Sequence, residues 1–248
     1  MYKILPLLMS DIVFNTPIKE VNKFLDTLIN AKGYLKVLEG LQNTVIISVI
    51  GLVIGIIIGT LIATVRVIPK YKTLPRVLNG ICSFYVGFFR GTPLVVQLLI
   101  TYYVIFPILN VPISSLATCI LVFGLNSGAY VSEIMRGGIN SVDRGQLEAG
   151  RAVGLSYATT MLKIVVPQAV KNILPTLGNE FIALVKDTSV VSFVAAVDLY
   201  KTFTEIGNVR YEYLMPYFAM AIMYILLVML ISLGVKLLER RLKKSERN

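Results

Sequence analysis

The stretch QNTVIISVIGLVIGIIIGTLIATV, residues 42–65, carries no charged side chain over its 24 residues. An α-helix rises about 1.5 Å per residue, so about 20 such residues cross the roughly 30 Å hydrocarbon core of a bilayer. Residues 216–235 form another uncharged run of this length. Both runs predict membrane-spanning helices, and we expect an integral membrane protein built from α-helices.

The composition points to the same class of protein. Hydrophobic residues make up 56% of the 248 residues and charged residues 15%, whereas about 25% of the residues in a soluble domain are charged. The net charge of +10 comes without a basic patch interleaved with aromatic residues, so we expect no nucleic-acid partner. Histidine is absent, and Cys82 and Cys119 both lie in apolar surroundings, so neither a metal site nor a disulfide is expected.

The hydrophobic pattern predicts about five transmembrane helices in an all-α fold. They lie at about residues 43–65, 77–106, 113–134, 174–193 and 216–235. The second is interrupted by Arg90-Gly91-Thr92-Pro93, where glycine and proline weaken a helix. The predicted organisation is an extracytoplasmic N-terminal segment at 1–42, a transmembrane domain at 43–238 with a cytoplasmic loop at about 136–172, and a basic cytoplasmic tail at 239–248.

Lysine and arginine residues near the ends of the spans predict the orientation, because cytoplasmic loops carry an excess of them. Five alternating spans place fifteen of these residues on one side: Arg66, Lys70, Lys72, Arg76, Arg136, Arg144, Arg151, Lys163, Lys171, Lys236, Arg240, Arg241, Lys243, Lys244 and Arg247. The last loop on the other side holds Lys201 and Arg210. We therefore predict an outer N-terminus and a cytoplasmic C-terminus. Residues 194–215 then lie outside, as either a short helix or a solvated loop.

The stretch GQLEAGRAVGL, residues 145–155, is polar and falls on the predicted cytoplasmic side. Residues 141–143 offer capping side chains for a short helix, Gly154 suits the left-handed position that ends it, and Ser156 can cap a second helix. Small residues around Glu148 would let a partner protein approach closely, and the carboxylate could pair with a basic residue. A connector lying on the bilayer surface is the other interpretation of this segment.

The same segment resembles the EAA signature of bacterial ABC importer permeases. The resemblance is carried by Glu148-Ala149-Gly150, then Gly154 after three residues, then Ile164-Val165-Val166-Pro167 after nine. Gly150 replaces the usual second alanine and Val166 the usual leucine. Four further segments resemble the polar amino-acid branch of these permeases over about residues 40–240: Phe89–Leu94, Gly128–Glu133, Arg136–Ile139 and Lys186–Ser189.

The resemblance implies a type I ABC importer permease fold in the bacterial cytoplasmic membrane. It also implies a second permease subunit (identical or related), two ABC ATPase subunits and an extracytoplasmic substrate-binding protein. The residues expected to couple the chain to the ATPases are Glu148, Ala149, Gly150, Gly154 and Pro167. The sequence contains no G-x-x-x-x-G-K-[ST] phosphate loop, so we expect no catalytic activity and no cofactor on this chain, with ATP and Mg²⁺ bound by the partner ATPases.

Polar residues inside a bilayer are costly and usually functional, and several are predicted near its midplane. Gly91 and Pro93 would free backbone groups at the same depth, as in other transport sites built from broken helices. We expect a cavity for a polar amino acid to which the following residues contribute: Thr92, Gln97, Asp187, Thr188 and Ser189. Asp187 would attract the ammonium group or a cationic side chain.

Other polar and small residues in the spans have two interpretations. Arg90, Glu133 and Lys186 either pair with one another or contact the ligand, and Asn126, Ser127 and Tyr130 either join helices by hydrogen bonds or line the site. Gly51, Gly55 and Gly59 share one helical face, a spacing that predicts close helix packing.

Two other classes of function were considered. A secondary transporter or channel driven by an ion gradient would also need charges inside the membrane, but it would not explain the EAA-like segment. A membrane-embedded enzyme with Glu133 or Asp187 as the acid–base group is disfavoured, because the chain has no histidine and no recognisable Ser–Lys arrangement.

Overall fold

The computed structural model describes residues 19–68, 71 and 73–244. This part of the chain is helical and has no β-strand. Its helices are α1 (Lys19–Leu25), α2 (Gly33–Val67), α3 (Thr73–Gly91), α4 (Leu94–Ile100), α5 (Phe106–Ile108), α6 (Ser115–Asn140), α7 (Arg144–Ala152), α8 (Tyr157–Thr160), α9 (Val166–Asp187), α10 (Leu199–Arg210) and α11 (Leu214–Lys244). Single π-helical turns cover 26–30, 101–105 and 161–165, and a 3₁₀ segment covers 188–194.

Three of these helices, α2, α6 and α11, are long and apolar enough to cross a membrane. The pair formed by α3 and the α4–α5 segment makes a fourth candidate if it is one span, but the pair is bent by 103°. The predicted second span over 77–106, with its interruption at residues 90–93, forms two helices that meet at this break, because Pro93 begins a new helix there.

The predicted fourth span corresponds to α9, which is shifted toward the N-terminus. It covers Val166–Asp187 instead of 174–193, and the chain continues as the 3₁₀ segment. Its 22 residues are about 33 Å long, enough to cross the hydrocarbon core. Its charged residues, among them Glu180 and Asp187, make α9 less apolar than the other spans. The predicted count of five spans includes this helix, which is not among the three, or up to four, helices of the described residues that are long and apolar enough to cross a membrane.

Helices α2 and α6 pack closely through glycine. A methyl group added to Gly55 would lie 2.6 Å from Ser127 Oγ, and one added to Gly59 would lie 2.6 Å from Val131 Cγ1. From the other side, one added to Gly124 would lie 2.6 Å from Ile54 Cγ2. These distances are shorter than any ordinary carbon contact, so the two backbones approach as closely as they do only because glycine occupies these positions. The packing role predicted for the glycine stripe of α2 is confirmed.

The predicted outer segment at 194–215 forms the helix α10, capped by Asp198, whose carboxylate accepts hydrogen bonds from the backbone N–H groups of Tyr200 and Lys201. It is not a solvated loop, because Leu199 and Phe203 are buried in a cluster with residues of α2 and α11. Phe24 and Leu28 from the N-terminal segment pack on the same cluster.

Two ion pairs, Arg210–Asp26 and Lys36–Glu205, also connect the N-terminal part of the chain to α10. The first span and the end of the N-terminal segment share one helix, since α2 begins at Gly33. The predicted boundary at residues 42 and 43 therefore lies inside a helix. Residues 1–18 lie outside the described part of the chain.

Candidate functional site

A central cavity of about 640 Å³ lies where the break between α3 and α4 faces α6 and α9. The polar residues that line it are Arg90, Thr92, Asn126, Tyr130, Glu180 and Asp187. Leu94, Leu184 and Val190 form part of its apolar wall. Three separate spans thus place polar side chains around one space inside the transmembrane bundle.

Proline creates the break on which this cavity is built. In a continuous helix the carbonyl of Phe89 would accept a hydrogen bond from the residue four positions later, but that residue is Pro93, which has no N–H group. The amide nitrogen of Gln97 lies 2.9 Å from Phe89 O, 3.0 Å from Thr92 O and 2.8 Å from Thr92 Oγ1. The side chain of Gln97 therefore replaces hydrogen bonds that the backbone loses at the break.

Asn126 of α6 reaches the same place from across the bundle. Its amide nitrogen lies 3.0 Å from Gln97 Oε1 and 3.3 Å from Phe89 O. Both amide side chains are largely buried, Gln97 at 7% and Asn126 at 8% exposure. Of the two interpretations of Asn126, the structure shows a helix-to-helix hydrogen bond at the edge of the cavity.

Charged groups of both signs line the cavity. Arg90 lies over the ring of Tyr130, with its guanidinium carbon 5.4 Å from the ring centroid, a cation–π contact. On the opposite wall Glu180 Oε1 accepts a hydrogen bond of 3.1 Å from Ser127 Oγ. Glu180 and Asp187 are two turns apart on one face of α9, about 10 Å along its axis. The cavity can therefore offer one guanidinium and two carboxylates to a ligand.

The structure supports only part of the predicted binding set. Thr92 and Asp187 line the cavity, whereas Gln97, Thr188 and Ser189 are not among the residues that form its described walls. Gln97 is bonded to the break, and the buried Thr188 donates its hydroxyl hydrogen to Val185 O at 2.8 Å. Thr188 turns inward because the chain tightens into the 3₁₀ segment at this residue.

Sequence reasoning missed Glu180 as a cavity residue. Its spacing of seven residues from Asp187 in an otherwise largely apolar helix was the available signal, because residues seven apart lie on the same helical face.

The predicted pairing of Arg90, Glu133 and Lys186 with one another is wrong. Glu133 accepts hydrogen bonds from Arg66 and from Arg136, whose Nη2 lies 2.6 Å from Oε2. Arg66 ends α2 beside α6 and Arg136 follows Glu133 by one turn, so both are near neighbours in space. Arg90 instead lies over Tyr130, and Lys186 is exposed.

The polar segment at 141–167 folds as two short helices, as predicted. Asp143 caps α7 by accepting a hydrogen bond from the N–H of Gly145 at 2.6 Å, and Ser156 caps α8 by accepting one from Thr159 at 3.2 Å. Gly154 joins the two helices with φ +86°, a left-handed value that favours glycine. Pro167 is the second residue of α9, the helix that directly follows the π-helical turn at 161–165.

The EAA-like residues of this coupling loop (about residues 136–172) divide into surface and interior positions. Glu148 and Ala149 are exposed, whereas Gly150 is buried against α8. A methyl group added to Gly150 would lie 2.4 Å from Thr160 Cγ2, so the replacement of the family's alanine by glycine fits the close packing of α7 on α8.

Tyr157 connects the coupling loop to the C-terminal end of α2 through a hydrogen bond from its hydroxyl to Val67 O at 3.3 Å. Burial raises the pKa of the Tyr157 hydroxyl above its ordinary value, which keeps the group protonated and able to donate. A smaller cavity of about 280 Å³ beside Tyr157 is lined in part by Arg144 and Glu148. The exposed carboxylate of Glu148 is thus at the rim of a recess beside α8.

Comparison with known proteins identifies the family. Residues 51–244 match the family described as "Binding-protein-dependent transport system inner membrane component". The chain belongs to this family. The expected membership among ABC importer permeases is confirmed, and the chain is a multi-pass protein of the inner membrane.

Individual relatives agree with this assignment. The putative glutamine transport system permease protein GlnP of Rickettsia felis is 42% identical over 167 residues, 67% of this chain and 77% of that protein. The arginine transport system permease protein ArtQ of Bacillus subtilis is 39% identical over 166 residues, 67% of this chain and 76% of that protein.

A solved structure described as an amino acid ABC transporter with histidines shares the fold. It is 35% identical in sequence with a TM-score of 0.80, and the match covers 88% of this chain and 98% of that one. The predicted type I importer permease fold is confirmed by this similarity.

Proposed function

We propose that this chain is the membrane permease subunit of an ATP-driven importer for polar amino acids. The observation that carries the substrate class is the central cavity, whose wall holds Arg90 beside the helix break and Glu180 and Asp187 on α9. An amino acid presents a carboxylate and an ammonium group, which complement these charges. Arg90 would bind the carboxylate, Glu180 or Asp187 the ammonium group, and Thr92 would add a hydroxyl. The names of the relatives, which include glutamine and arginine transport, support this class.

The charges in the cavity wall indicate which polar amino acids it prefers. One guanidinium and two carboxylates give the cavity wall a formal charge of −1 when all three are ionised. After one carboxylate binds the substrate ammonium group, the other is left to face the side chain. A cationic side chain would satisfy that carboxylate, whereas a neutral or acidic one would leave it in the cavity wall without a counter-charge. We therefore propose that L-arginine binds more tightly than L-glutamine.

Energy would reach the cavity through the coupling loop. Two ABC ATPase subunits, which bind ATP and Mg²⁺, would contact the exposed Glu148 and Ala149 of each permease. Their approach on binding ATP would displace α7 and switch the cavity from inward-open to outward-open. The chain itself would bind no cofactor or metal and hydrolyse no ATP.

The remaining partners follow from the exposed surfaces. Apolar side chains of α3, among them Leu74, Ile81 and Phe88, project away from the rest of the chain, and we propose that a second permease subunit and membrane lipid cover them. The distribution of lysine and arginine supports an outer position for α10 and the N-terminus. An extracytoplasmic binding protein would deliver the amino acid to that side.

The proposal is tested by reconstitution. The permease is purified with co-expressed ATPase subunits and placed in vesicles, and uptake of radiolabelled L-arginine and L-glutamine is measured with the binding protein added outside. We expect uptake to require both ATP and the binding protein. Uptake that proceeds without the ATPase and follows an imposed ion gradient would instead support a secondary transporter, a function that the family membership disfavours.

A further inference from the structure

Two buried amide side chains from different helices meet at the break between α3 and α4. Gln97 belongs to α4 and Asn126 to α6, 29 residues later in the chain. They bond to each other at 3.0 Å, and the amide nitrogens of both lie within hydrogen-bond distance of the Phe89 carbonyl. That carbonyl is the one whose helical partner is removed by Pro93.

The donor capacity of both amide nitrogens is used within the protein. An amide nitrogen has two hydrogens, and the nitrogen of Asn126 has two acceptors in reach, Gln97 Oε1 and Phe89 O. The nitrogen of Gln97 has three acceptors in reach, and its oxygen accepts the hydrogen bond from Asn126. Neither nitrogen is left to bind a substrate, although Asn126 lies at the cavity wall.

We infer that Gln97 and Asn126 are positioning residues that fix the bend between α3 and α4 and thereby hold Arg90 and Thr92 in the wall of the central cavity. The inference rests on the proposed function, since it assigns the cavity to an amino acid. The two amides act on the substrate through the backbone of residues 89–92, the segment that carries Arg90 and Thr92. Losing either amide leaves the Phe89 carbonyl with fewer donors and frees the bend to change.

Because Asn126 lies on α6, its hydrogen bonds also connect the break between α3 and α4 to the coupling loop. Helix α6 continues without interruption to Asn140, and α7 of the coupling loop begins four residues later. Asn126 is about 21 Å along the helix from Asn140. A displacement of α7 by an ATPase would therefore reach the break through one rigid helix and the hydrogen bonds of Asn126.

A double-mutant cycle tests the inference. The variants are Asn126→Leu, Gln97→Leu and the pair together, each purified as the permease–ATPase complex. The Kd for radiolabelled L-arginine is measured without the binding protein, so that binding in the membrane cavity is read directly. We expect each single variant to raise Kd by about tenfold, and the double variant to be little worse than either, because both amides support the same carbonyl.

The outcomes separate the inference from the proposed function. Wild-type complex that binds neither L-arginine nor L-glutamine contradicts the proposed function. Wild-type complex that binds while the single variants keep Kd within about twofold, or while the two fold-changes multiply in the double variant, overturns the inference.

Two more variants distinguish a local effect on the cavity from a general loss of folding. Asn126→Ala removes the amide without adding charge or bulk, so we expect Kd to rise as in Asn126→Leu. Asn43→Leu removes a comparable amide on α2, away from the cavity. There the Asn43 side chain donates a hydrogen bond of 3.0 Å to Val197 O. We expect this control to lower the apparent Tm and leave Kd unchanged, and an equal loss of affinity in it would overturn the inference.

Discussion

Gly150 is constrained by the packing of α7 on α8. Thr160 of α8 lies where a methyl group at position 150 would be. Glycine on α7 therefore makes room for the branched residue on α8. Gly150 replaces the usual second alanine of the EAA signature that this segment resembles, and the neighbouring Glu148 and Ala149 are exposed.

Gly150→Ala should therefore be destabilising. The added methyl group would overpack the contact with Thr160 by about 1–3 kcal/mol and lower the apparent Tm of the purified complex by about 5 °C. Thr160→Ser removes the clashing methyl group and keeps the hydroxyl, so the double variant should recover most of the loss. Gly137→Ala is the matched control, since nothing lies within 4 Å of its added methyl group. A stable Gly150→Ala single variant would contradict this account.

Gly154→Val should uncouple ATP hydrolysis from uptake. A β-branched residue at φ +86° is strained by about 1–3 kcal/mol, which would distort the turn between α7 and α8. ATPase activity stimulated by loaded binding protein, compared with uptake in the same vesicles, measures the coupling. Gly154→Asn, which tolerates left-handed backbone, should retain more of it. Full coupling in the valine variant would show that this turn does not need its present shape.

Glu180→Gln should weaken binding of L-arginine by about tenfold and of L-glutamine by less than about threefold, because a cationic side chain loses a counter-charge. Asp187→Asn should act in the same direction. Equilibrium binding to the permease–ATPase complex gives both values. Glu205→Gln, at an exposed carboxylate of α10 paired with Lys36, is the control without effect on affinity. Equal losses for both amino acids would contradict the proposed preference.

Among the secondary-structure elements, helices marked by a local sequence pattern could be predicted from the sequence alone. The apolar runs of α2 and α11 and the capping residues of α7 and α8 each act locally, so their sequence was sufficient. The break at Pro93 was also predicted, but its partners were not, because Asn126 is 37 residues from Phe89. Glu133 finds Arg66 in the same way, across a packing of α2 on α6 whose register the sequence does not give.

Gly55→Val should disrupt the packing of α2 on α6. The added Cβ alone would lie 2.6 Å from Ser127 Oγ and 3.1 Å from the Ser127 carbonyl carbon, which cannot move without its helix. We expect loss of folded complex, measured as the fraction that elutes monodisperse in size-exclusion chromatography. Gly234→Val on α11, with nothing within 4 Å of its added methyl group, should elute as wild type. Normal elution of Gly55→Val would mean that the helices separate without cost.

The predicted orientation of the whole molecule in the membrane can be tested by cysteine labelling. Ala149→Cys and Tyr211→Cys place exposed thiols at opposite ends of the predicted topology, and Tyr211 is 86% exposed. With Cys82 and Cys119 replaced, a membrane-impermeant maleimide should label Tyr211→Cys in intact cells and Ala149→Cys only after lysis. Labelling of Ala149→Cys in intact cells would reverse the orientation and remove the basis for ATPase contact at α7.

The glycine contacts between α2 and α6 limit how this molecule can change shape. Interlocked backbones cannot slide past each other, so the two helices must turn together as one solid body. By contrast, α3 meets α4 at a corner of 103°. We expect the freedom that lets a solute in at one side and out at the other to reside at that corner.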